Sequence, residues 1–303
     1  MAFLDKSTHE ARGLALPALL LLGLGILVVL EWNAIELPHM TSAAVGIAEP
    51  EIVTLQPAPF AFRAAGQYVK NGVAVSSPAM NVALSAPVNI MRYQVSAADY
   101  ARCVATTACS VNRPRHTGNG NVPAVGVSYN DATAYARWLS DQTGEIWRLP
   151  TLEEWDFAAD GLAAEHGTIA EADALDPSKL WLSTFDQQNE ERRGTSPGLK
   201  PLGSFGTNGA GVADMGGNVW EWTSACDGRV VLDANDTTIR RRDSCGVRVL
   251  EGRHRMAMSA FVQDARGGAC SMGLPPDNLG FRLVQDTPWY RQLLKPLLQL
   301  RFW

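Results

Sequence analysis

The longest uninterrupted run of apolar positions lies near the N-terminus. Residues 13–30 hold no charged side chain and are mostly Leu, Ala, Val and Gly. As a helix this run would be about 27 Å long, close to the hydrocarbon thickness of a bilayer. Lys6 and Arg12 precede it, so the positive-inside rule places the N-terminus in the cytoplasm. We therefore predict a cytoplasmic stub and transmembrane anchor over residues 1–32, with a cleaved signal peptide and a buried core helix as the alternatives.

The remaining chain divides into three segments by pattern. Residues 33–59 show no hydrophobic periodicity and are predicted to form a linker. Residues 60–285 show no break in composition and no internal repeat, which indicates one domain. Residues 286–303 mix apolar and basic side chains, and Pro296 interrupts them. This amphipathic tail is expected to lie in the membrane interface, to pack on the domain or to contact a partner.

Three helix starts share one signal, a Ser or Thr followed three residues later by an acid. The pairs are Ser96 with Asp99, Ser128 with Asp131, and Thr151 with Glu154. In each pair the hydroxyl can accept from the third helical N–H while the acid reaches back to the cap. Apolar residues follow at three- and four-residue spacing, so each helix is expected to bury one stripe.

The pattern changes after Gly161, where turn residues become frequent and apolar runs shorten. Short strands are predicted at residues 229–232, 247–250 and 281–284. Helices early in the chain and short strands late in it indicate a mixed, loop-rich α+β domain.

The composition narrows the function classes. The chain has 303 residues and a formal net charge of −5, and 19% of its residues are charged. This length allows one or two domains at about 150 residues each. A mildly acidic chain has no electrostatic basis for binding nucleic acid, so we expect no nucleic-acid partner. The histidines lack metal-ligand spacing, and no nucleophile-elbow or Walker motif occurs.

The five cysteines form two pairs and one remainder. A domain exported across the membrane meets an oxidising compartment, where disulfides form. Cys103 and Cys109 lie in and just after the first predicted helix, and Cys226 and Cys245 bracket a polar, charge-rich segment that we predict to be a loop. Each pair is predicted to form a disulfide worth ~2–3 kcal/mol, which leaves Cys270 unpaired.

The densest candidate for chemistry is the segment D-M-G-G-N-V-W-E-W, which begins at Asp214. Its glycines permit a tight turn that frees backbone carbonyls. Asp214, Asn218 and Glu221 add side-chain oxygens, and Ca²⁺ takes six to eight oxygen ligands. The alternative is a plain turn that enters a strand, with Trp220 and Trp222 in the core under either interpretation.

Taken in order, these segments resemble the formylglycine-generating enzyme family, also called the sulfatase-modifying-factor family. The matching pieces are Y-Q-V-S from Tyr93, P-A-V-G-V-S-Y from Pro123, Y-A-R-W-L from Tyr135, R-L-P-T-L-E-E-W from Arg148, D-M-G-G-N-V-W-E-W from Asp214, R-V-L from Arg248 and N-L-G-F-R-L from Asn278. The resemblance implies a loop-rich α+β fold related to C-type lectins, often with bound calcium.

The resemblance also implies particular calcium ligands. The family's ligands correspond to Asp214 and Glu221 by side chain, and to Gly217 and Val219 by carbonyl. A second calcium site of the family falls in a variable region, and the resemblance assigns it no ligands within residues 180–205.

The family's catalytic residues do not carry over. Its active members bind copper through two cysteines five residues apart, shortly after an R-V-x-x-G-G segment, and use O₂ to oxidise a substrate cysteine to formylglycine. The two positions correspond here to Ala257 and Val262, and the family's G-G-S-W piece is replaced by G-R-H-R from Gly252. Cys270 is the only thiol that follows, and a single thiolate is a poor Cu(I) site. Formylglycine synthesis is therefore predicted to be lost, and copper is not expected.

These expectations combine into one hypothesis and two alternatives. The chain is expected to be a single-pass protein of a bacterial inner membrane, with its domain in the periplasm, that assists or binds an exported protein. Some family members are encoded with copper nitrite reductases and others act in siderophore maturation, and a nitrite-reducing partner is the specific hypothesis. The alternatives are an oxidoreductase of this family or a non-haem metal family with an altered site, and a lectin-like receptor for a small molecule or glycan.

Overall fold

The structure is a computed structural model in which these stretches of the chain are described: residues 49–112, 120–160, 199–259, 262–263 and 278–286. They belong to one compact unit, Ile47–Trp303. The predicted anchor at residues 13–30, Cys270 and the tail beyond Asp286 lie outside the described residues. Among the residues that are described, no helix has the length and apolar character needed to cross a membrane.

Among the described residues, six short strands precede the first helix, and the sequence pattern did not predict them. They are β1 (Ile52–Leu55), β2 (Pro59–Arg63), β3 (Gln67–Lys70), β4 (Val73–Val75), β5 (Ala79–Ala83) and β6 (Val88–Met91). β1 lies within the residues predicted to be linker, yet it pairs with β6 in antiparallel register. The folded sheet therefore begins before the predicted boundary at residue 60.

All three predicted helices are present, each directly after its predicted cap: α1 (Ala97–Ala105), α2 (Tyr129–Thr143) and α3 (Leu152–Ala158). At α2 and α3 the hydroxyl and the acid form both bonds of a capping box. At α1 only one is formed. Ser96 Oγ accepts from the Asp99 backbone N–H at 3.0 Å, and the Asp99 carboxylate accepts from that hydroxyl instead of reaching the cap backbone.

The remaining strands are β7 (Ile146–Arg148), β8 (Trp220–Leu232), β9 (Thr238–Glu251), β10 (Met256–Met258), β11 (Leu279–Gly280) and β12 (Val284–Asp286). One antiparallel sheet has the order β1-β6-β12-β7. A second has the order β10-β9-β8-β3-β4, with β11 added parallel to β8, and β2 pairs with β5. The strand predicted at residues 281–284 is wrong for its first three residues, which join β11 to β12.

β8 and β9 form one long hairpin where the sequence predicted two short strands and a loop. Their register runs from Asp227 opposite Ser244 out to Leu232 opposite Thr238, so the predicted loop between the cysteines is wrong. The Cys226–Cys245 disulfide crosses the hairpin where its register shifts, and the Cys103–Cys109 disulfide holds the end of α1. Both predicted disulfides are confirmed.

The main core lies between α1, α2 and the strands that they cover. Its centre is a group of aromatic rings in which Tyr135 packs on Tyr100, Trp138 and Phe281. Each large apolar side chain buried in this way contributes roughly 1.5–3 kcal/mol. The tryptophans of β8 are also buried, as predicted, and they anchor the strand whose start carries the candidate calcium segment.

Candidate functional site

The chain enters β8 through a turn with an unusual backbone. Asp214, Gly216 and Asn218 have φ angles of 56°, 68° and 64°, all in the left-handed region. Gly has no Cβ to clash there, and Asp and Asn tolerate the conformation better than other residues. The Asn218 side chain exchanges two hydrogen bonds with the backbone of Lys200, so it holds the preceding loop. It is not among the groups that surround Glu221.

The centre of the site is a buried ion pair that the sequence did not predict. Arg282 donates from Nε to Glu221 Oε2 at 2.6 Å and from Nη2 to Oε1 at 2.7 Å. Its remaining donors reach the carbonyls of Met91, Arg92 and Ala213. Arg282 is 0% exposed and Glu221 is 1% exposed, so this bidentate pair ties the start of β8 to three separate segments.

Two further donors complete the surroundings of the Glu221 carboxylate. Trp155 Nε1 donates to Oε2 at 2.9 Å, and Gln94 Nε2 donates to Oε1 at 2.9 Å. Each carboxylate oxygen therefore accepts two hydrogen bonds. A buried carboxylate requires such compensation because desolvation disfavours its charge.

Asp214 contacts the groups around Glu221 through its backbone carbonyl, and its side chain binds elsewhere. Its carboxylate oxygens accept from the backbone N–H groups of Gly203 at 2.5 Å and Phe205 at 2.8 Å. Its carbonyl oxygen accepts from Gln94 Nε2 at 3.2 Å. The Gly217 carbonyl lies 3.5 Å from the same nitrogen. The structure thus turns the carbonyl of Asp214 toward Gln94 Nε2, the same nitrogen that contacts Glu221, whereas the resemblance implied the carboxylate.

These groups fit the calcium that the resemblance implies. Three oxygens converge on Gln94, from the backbone of Asp214, the backbone of Gly217 and the side chain of Glu221. Ca²⁺ prefers hard oxygen donors of this kind. Among the described residues no group of three or more His, Cys, Asp or Glu side chains could hold a metal, so a calcium site here depends on carbonyl oxygens. The Val219 carbonyl remains a predicted ligand, and the site as a whole remains a prediction.

The two positions of the family's copper cysteines lie in different environments. Ala257 is exposed on β10, opposite Val249 of β9. Val262 is 9% exposed and belongs to the main core, and its carbonyl accepts from the Asn130 backbone N–H. Neither an alanine nor a valine side chain has a lone pair to offer a metal.

A second buried charge cluster lies just before β10. The Arg255 guanidinium contacts both Glu251 and Asp156, and it also donates to the Arg63 carbonyl. Both carboxylates are nearly fully buried. Burial raises the pKa of Asp156 to about 6 and that of Glu251 to about 8, although the adjacent guanidinium lowers both. In the sequence, Arg255 stands out only as part of the G-R-H-R departure from the family motif.

Known proteins resemble this chain over most of the described domain. Residues 38–287 match the family described as the sulfatase-modifying factor enzyme 1-like domain. The formylglycine-generating enzyme of Streptomyces coelicolor is 35% identical over 181 residues, which are 56% of this chain and 55% of that protein. The inactive C-alpha-formylglycine-generating enzyme 2 of Mus musculus is 32% identical over 194 residues, 58% of this chain and 54% of that protein.

The chain spans about half the length of these two curated relatives. The solved structure of PvdO from Pseudomonas aeruginosa aligns with 78% of this chain and 95% of its own, at 21% identity and a TM-score of 0.49. The family match covers far more than half of the chain, and the motifs from Tyr93 to Asn278 lie within it. The chain therefore belongs to the sulfatase-modifying factor family, whose relatives here include formylglycine-generating enzymes.

Proposed function

We propose that this chain is a membrane-anchored, periplasm-facing member of the family that assists or binds an exported enzyme and does not itself make formylglycine. A nitrite-reducing enzyme is the first partner to test. The observation that carries the proposal is that Ala257 and Val262 stand where active members of the family have copper-binding cysteines.

The loss of copper chemistry follows from the donor atoms. Cu(I) is selected by soft sulfur ligands, and a methyl or isopropyl group cannot replace a thiolate. The residues before β10 also depart from the family motif, since G-R-H-R from Gly252 replaces G-G-S-W. The last of them, Arg255, pairs with two buried carboxylates. A relative whose name describes it as inactive is about as similar to this chain as the one named as a generating enzyme, so membership of the family allows a non-catalytic role.

Two features support export and anchoring. Residues 13–30 are uncharged and long enough to cross a bilayer as a helix, with basic residues on the N-terminal side. The two disulfides suit an oxidising compartment and are rare in bacterial cytosol.

Calcium is the metal that we assign to this protein. Bound beside Glu221 it would hold the turn from Asp214 to Val219 against the start of β8. Its role would be structural, since it would fix the loops that a partner meets. No step of chemistry is assigned to it.

An oxidoreductase with an altered site is the second candidate, and one observation favours it. Asp156 and Glu251 are buried carboxylates with raised pKa values, and such perturbed groups concentrate at functional sites. Metal analysis of the purified full-length protein separates the two candidates. Calcium alone supports the accessory role, whereas stoichiometric copper or iron supports the enzyme.

The decisive activity assay supplies Cu(I), O₂ and a sulfatase peptide that contains the substrate cysteine. We expect no peptide aldehyde from the wild-type protein, while a family member with both cysteines serves as the positive control. The double variant A257C/V262C is the matched test of the missing ligands, and it is expected to bind Cu(I) where the wild type does not. Aldehyde formation by the wild type would overturn the proposal.

The partner is then sought by affinity capture from solubilised membranes, with a nitrite-reducing enzyme as the expected prey.

A further inference from the structure

The side-chain amide of Gln94 faces three oxygens of the candidate calcium site. Its Nε2 lies 2.9 Å from Glu221 Oε1, 3.2 Å from the Asp214 carbonyl and 3.5 Å from the Gly217 carbonyl. Gln94 is 2% exposed, so its amide is surrounded by protein. An amide nitrogen carries two hydrogens, and here they face three acceptors.

The other end of the same amide is unsatisfied. Gln94 Oε1 is buried and has no hydrogen-bond partner among the described residues. A buried acceptor left in this way costs about 1–3 kcal/mol. The nitrogen faces inward because an oxygen in its place would confront three other oxygens with nothing positive between them.

A cation would reverse that preference. Oxygens that share one Ca²⁺ at 2.3–2.6 Å stand roughly 3–3.5 Å from one another. The distances from Gln94 Nε2 to its three acceptors fall in or near this range. The oxygen and nitrogen of an amide have nearly the same size, so a half-turn about the last side-chain torsion exchanges them without moving the backbone.

The charge of the surroundings also favours a cation. Asp214 and Glu221 carry two carboxylates, and Arg282 carries the guanidinium that pairs with one of them. The formal charges of these three side chains sum to −1, and each is at most 1% exposed. Uncompensated buried charge is costly, and a bound cation offsets it.

We propose that Gln94 is an invertible calcium ligand. Without the ion its N–H groups bind the oxygens of Asp214, Gly217 and Glu221. When the ion binds, the amide turns over and Oε1, which otherwise lacks a partner, becomes a ligand. This inference rests on the calcium site proposed above and adds a ligand from the segment before α1, far from the turn in sequence.

The test measures calcium affinity by titration calorimetry and the calcium-dependent rise in melting temperature, both on the full-length protein. The variants are Gln94→Leu, which removes both polar ends of the amide, and Gln94→Glu, which offers only oxygens. Gln67→Leu makes the same substitution at an exposed position of β3 and serves as the matched control.

We expect Gln94→Leu to weaken calcium binding at least tenfold and to reduce the calcium-dependent rise in melting temperature. Gln94→Glu is expected to melt lower than wild type without calcium, since its carboxylate faces Glu221, and to bind calcium more tightly. Gln67→Leu is expected to match wild type in both measurements.

The possible failures are distinguishable. If Gln94 is only structural, Gln94→Leu lowers the melting temperature equally with and without calcium and leaves the affinity unchanged, and the ligand role is then refuted. If Gln94→Leu does not fold, Gln94→Glu decides alone, because unchanged or weaker calcium binding by that variant overturns the proposal. If the wild type binds no calcium, the proposed calcium site itself fails.

Discussion

Removal of the arginine that pairs with both carboxylates of the second buried cluster gives the sharpest test of how the domain is stabilised. Arg255 contacts Glu251 and donates from Nη2 to Asp156 Oδ2 at 2.9 Å. The arginine side chain is 26% exposed, while each carboxylate partner is 3% exposed. Asp156 Oδ1 already lacks a partner among the described residues. The substitution Arg255→Met keeps much of the side-chain volume and removes the charge.

The size of the effect is set by the carboxylates that remain. Removal of one partner from a buried ion pair costs about 3–5 kcal/mol, and the partial exposure of Arg255 favours the lower end, about 3 kcal/mol near pH 8. At pH 5 the loss is expected to be nearer ~1 kcal/mol, the net worth of the lost hydrogen bonds, because both acids can then be protonated and need no cation.

The direction of the pH dependence follows from the raised pKa values. Burial raises the pKa of Asp156 from 3.8 to about 6 and that of Glu251 from 4.5 to about 8, even with Arg255 present. The folded protein therefore holds these protons more tightly than the unfolded chain, and their contribution to stability is lost as pH rises through these folded values. Without Arg255 both pKa values are expected to rise further, so the variant loses more stability than wild type between pH 5 and pH 8.

The assay is urea unfolding of the full-length protein at pH 5 and pH 8, followed by tryptophan fluorescence. Arg241→Met is the matched control, because Arg241 pairs with Asp243 on the exposed hairpin at 2.8 Å, with side chains 42% and 49% exposed. Such a surface pair is worth about 0–1 kcal/mol. Equal losses for Arg255→Met at the two pH values, or a loss at pH 8 no greater than that of the control, would refute the reasoning.

Two further predictions concern the two disulfides and the buried ion pair between Arg282 and Glu221. Removing the Cys226–Cys245 disulfide by double serine substitution is expected to lower the free energy of unfolding by about 3 kcal/mol, and removing Cys103–Cys109 by about 2 kcal/mol. The difference is expected because the sequence separations are 19 and 6, and a longer closed loop restricts the unfolded chain more. Thermal unfolding compares the two variants, and the reverse order would contradict this explanation. Arg282→Met is expected to lower the free energy of unfolding, measured in urea, by at least about 3–5 kcal/mol. Arg282→Lys is expected to be intermediate, because lysine keeps the positive charge and loses the two parallel N–H donors of the guanidinium. Equal stability of the two variants would show that the charge contributes nothing.

Local signals identified the helices and the cysteine pairs, because both depend on residues close together in the chain. A cap requires only a hydroxyl and an N–H three residues on, so Ser128 and Thr151 mark the starts of α2 and α3 without tertiary information. The disulfides were likewise predictable as closures of short segments. The family motifs located the domain and also the two cysteine positions that are replaced at Ala257 and Val262.

Local signals failed for strands whose side chains do not alternate between core and solvent. The outer part of β9, from Thr238 to Gly246, exposes every residue, so its charged sequence gave the pattern of a loop. The early strands β4 and β5 are short and mostly exposed, and an amphipathic period cannot appear in three to five such residues. A strand of this kind is set by pairing with a partner that is distant in sequence.

The sequence alone thus determined the helix starts, the disulfide partners, the family and the loss of the copper thiols. Only the tertiary structure decided what surrounds Glu221, because Gln94 and Arg282 lie 127 and 61 residues away from it in the chain. It also decided that Asp214 offers its carbonyl to this site and that Arg255 joins Asp156 across 99 residues. Each of these contacts depends on which segments the fold brings together and on which polar groups it removes from water. Local residue spacing determines neither the proximity of distant segments nor the burial of their polar groups.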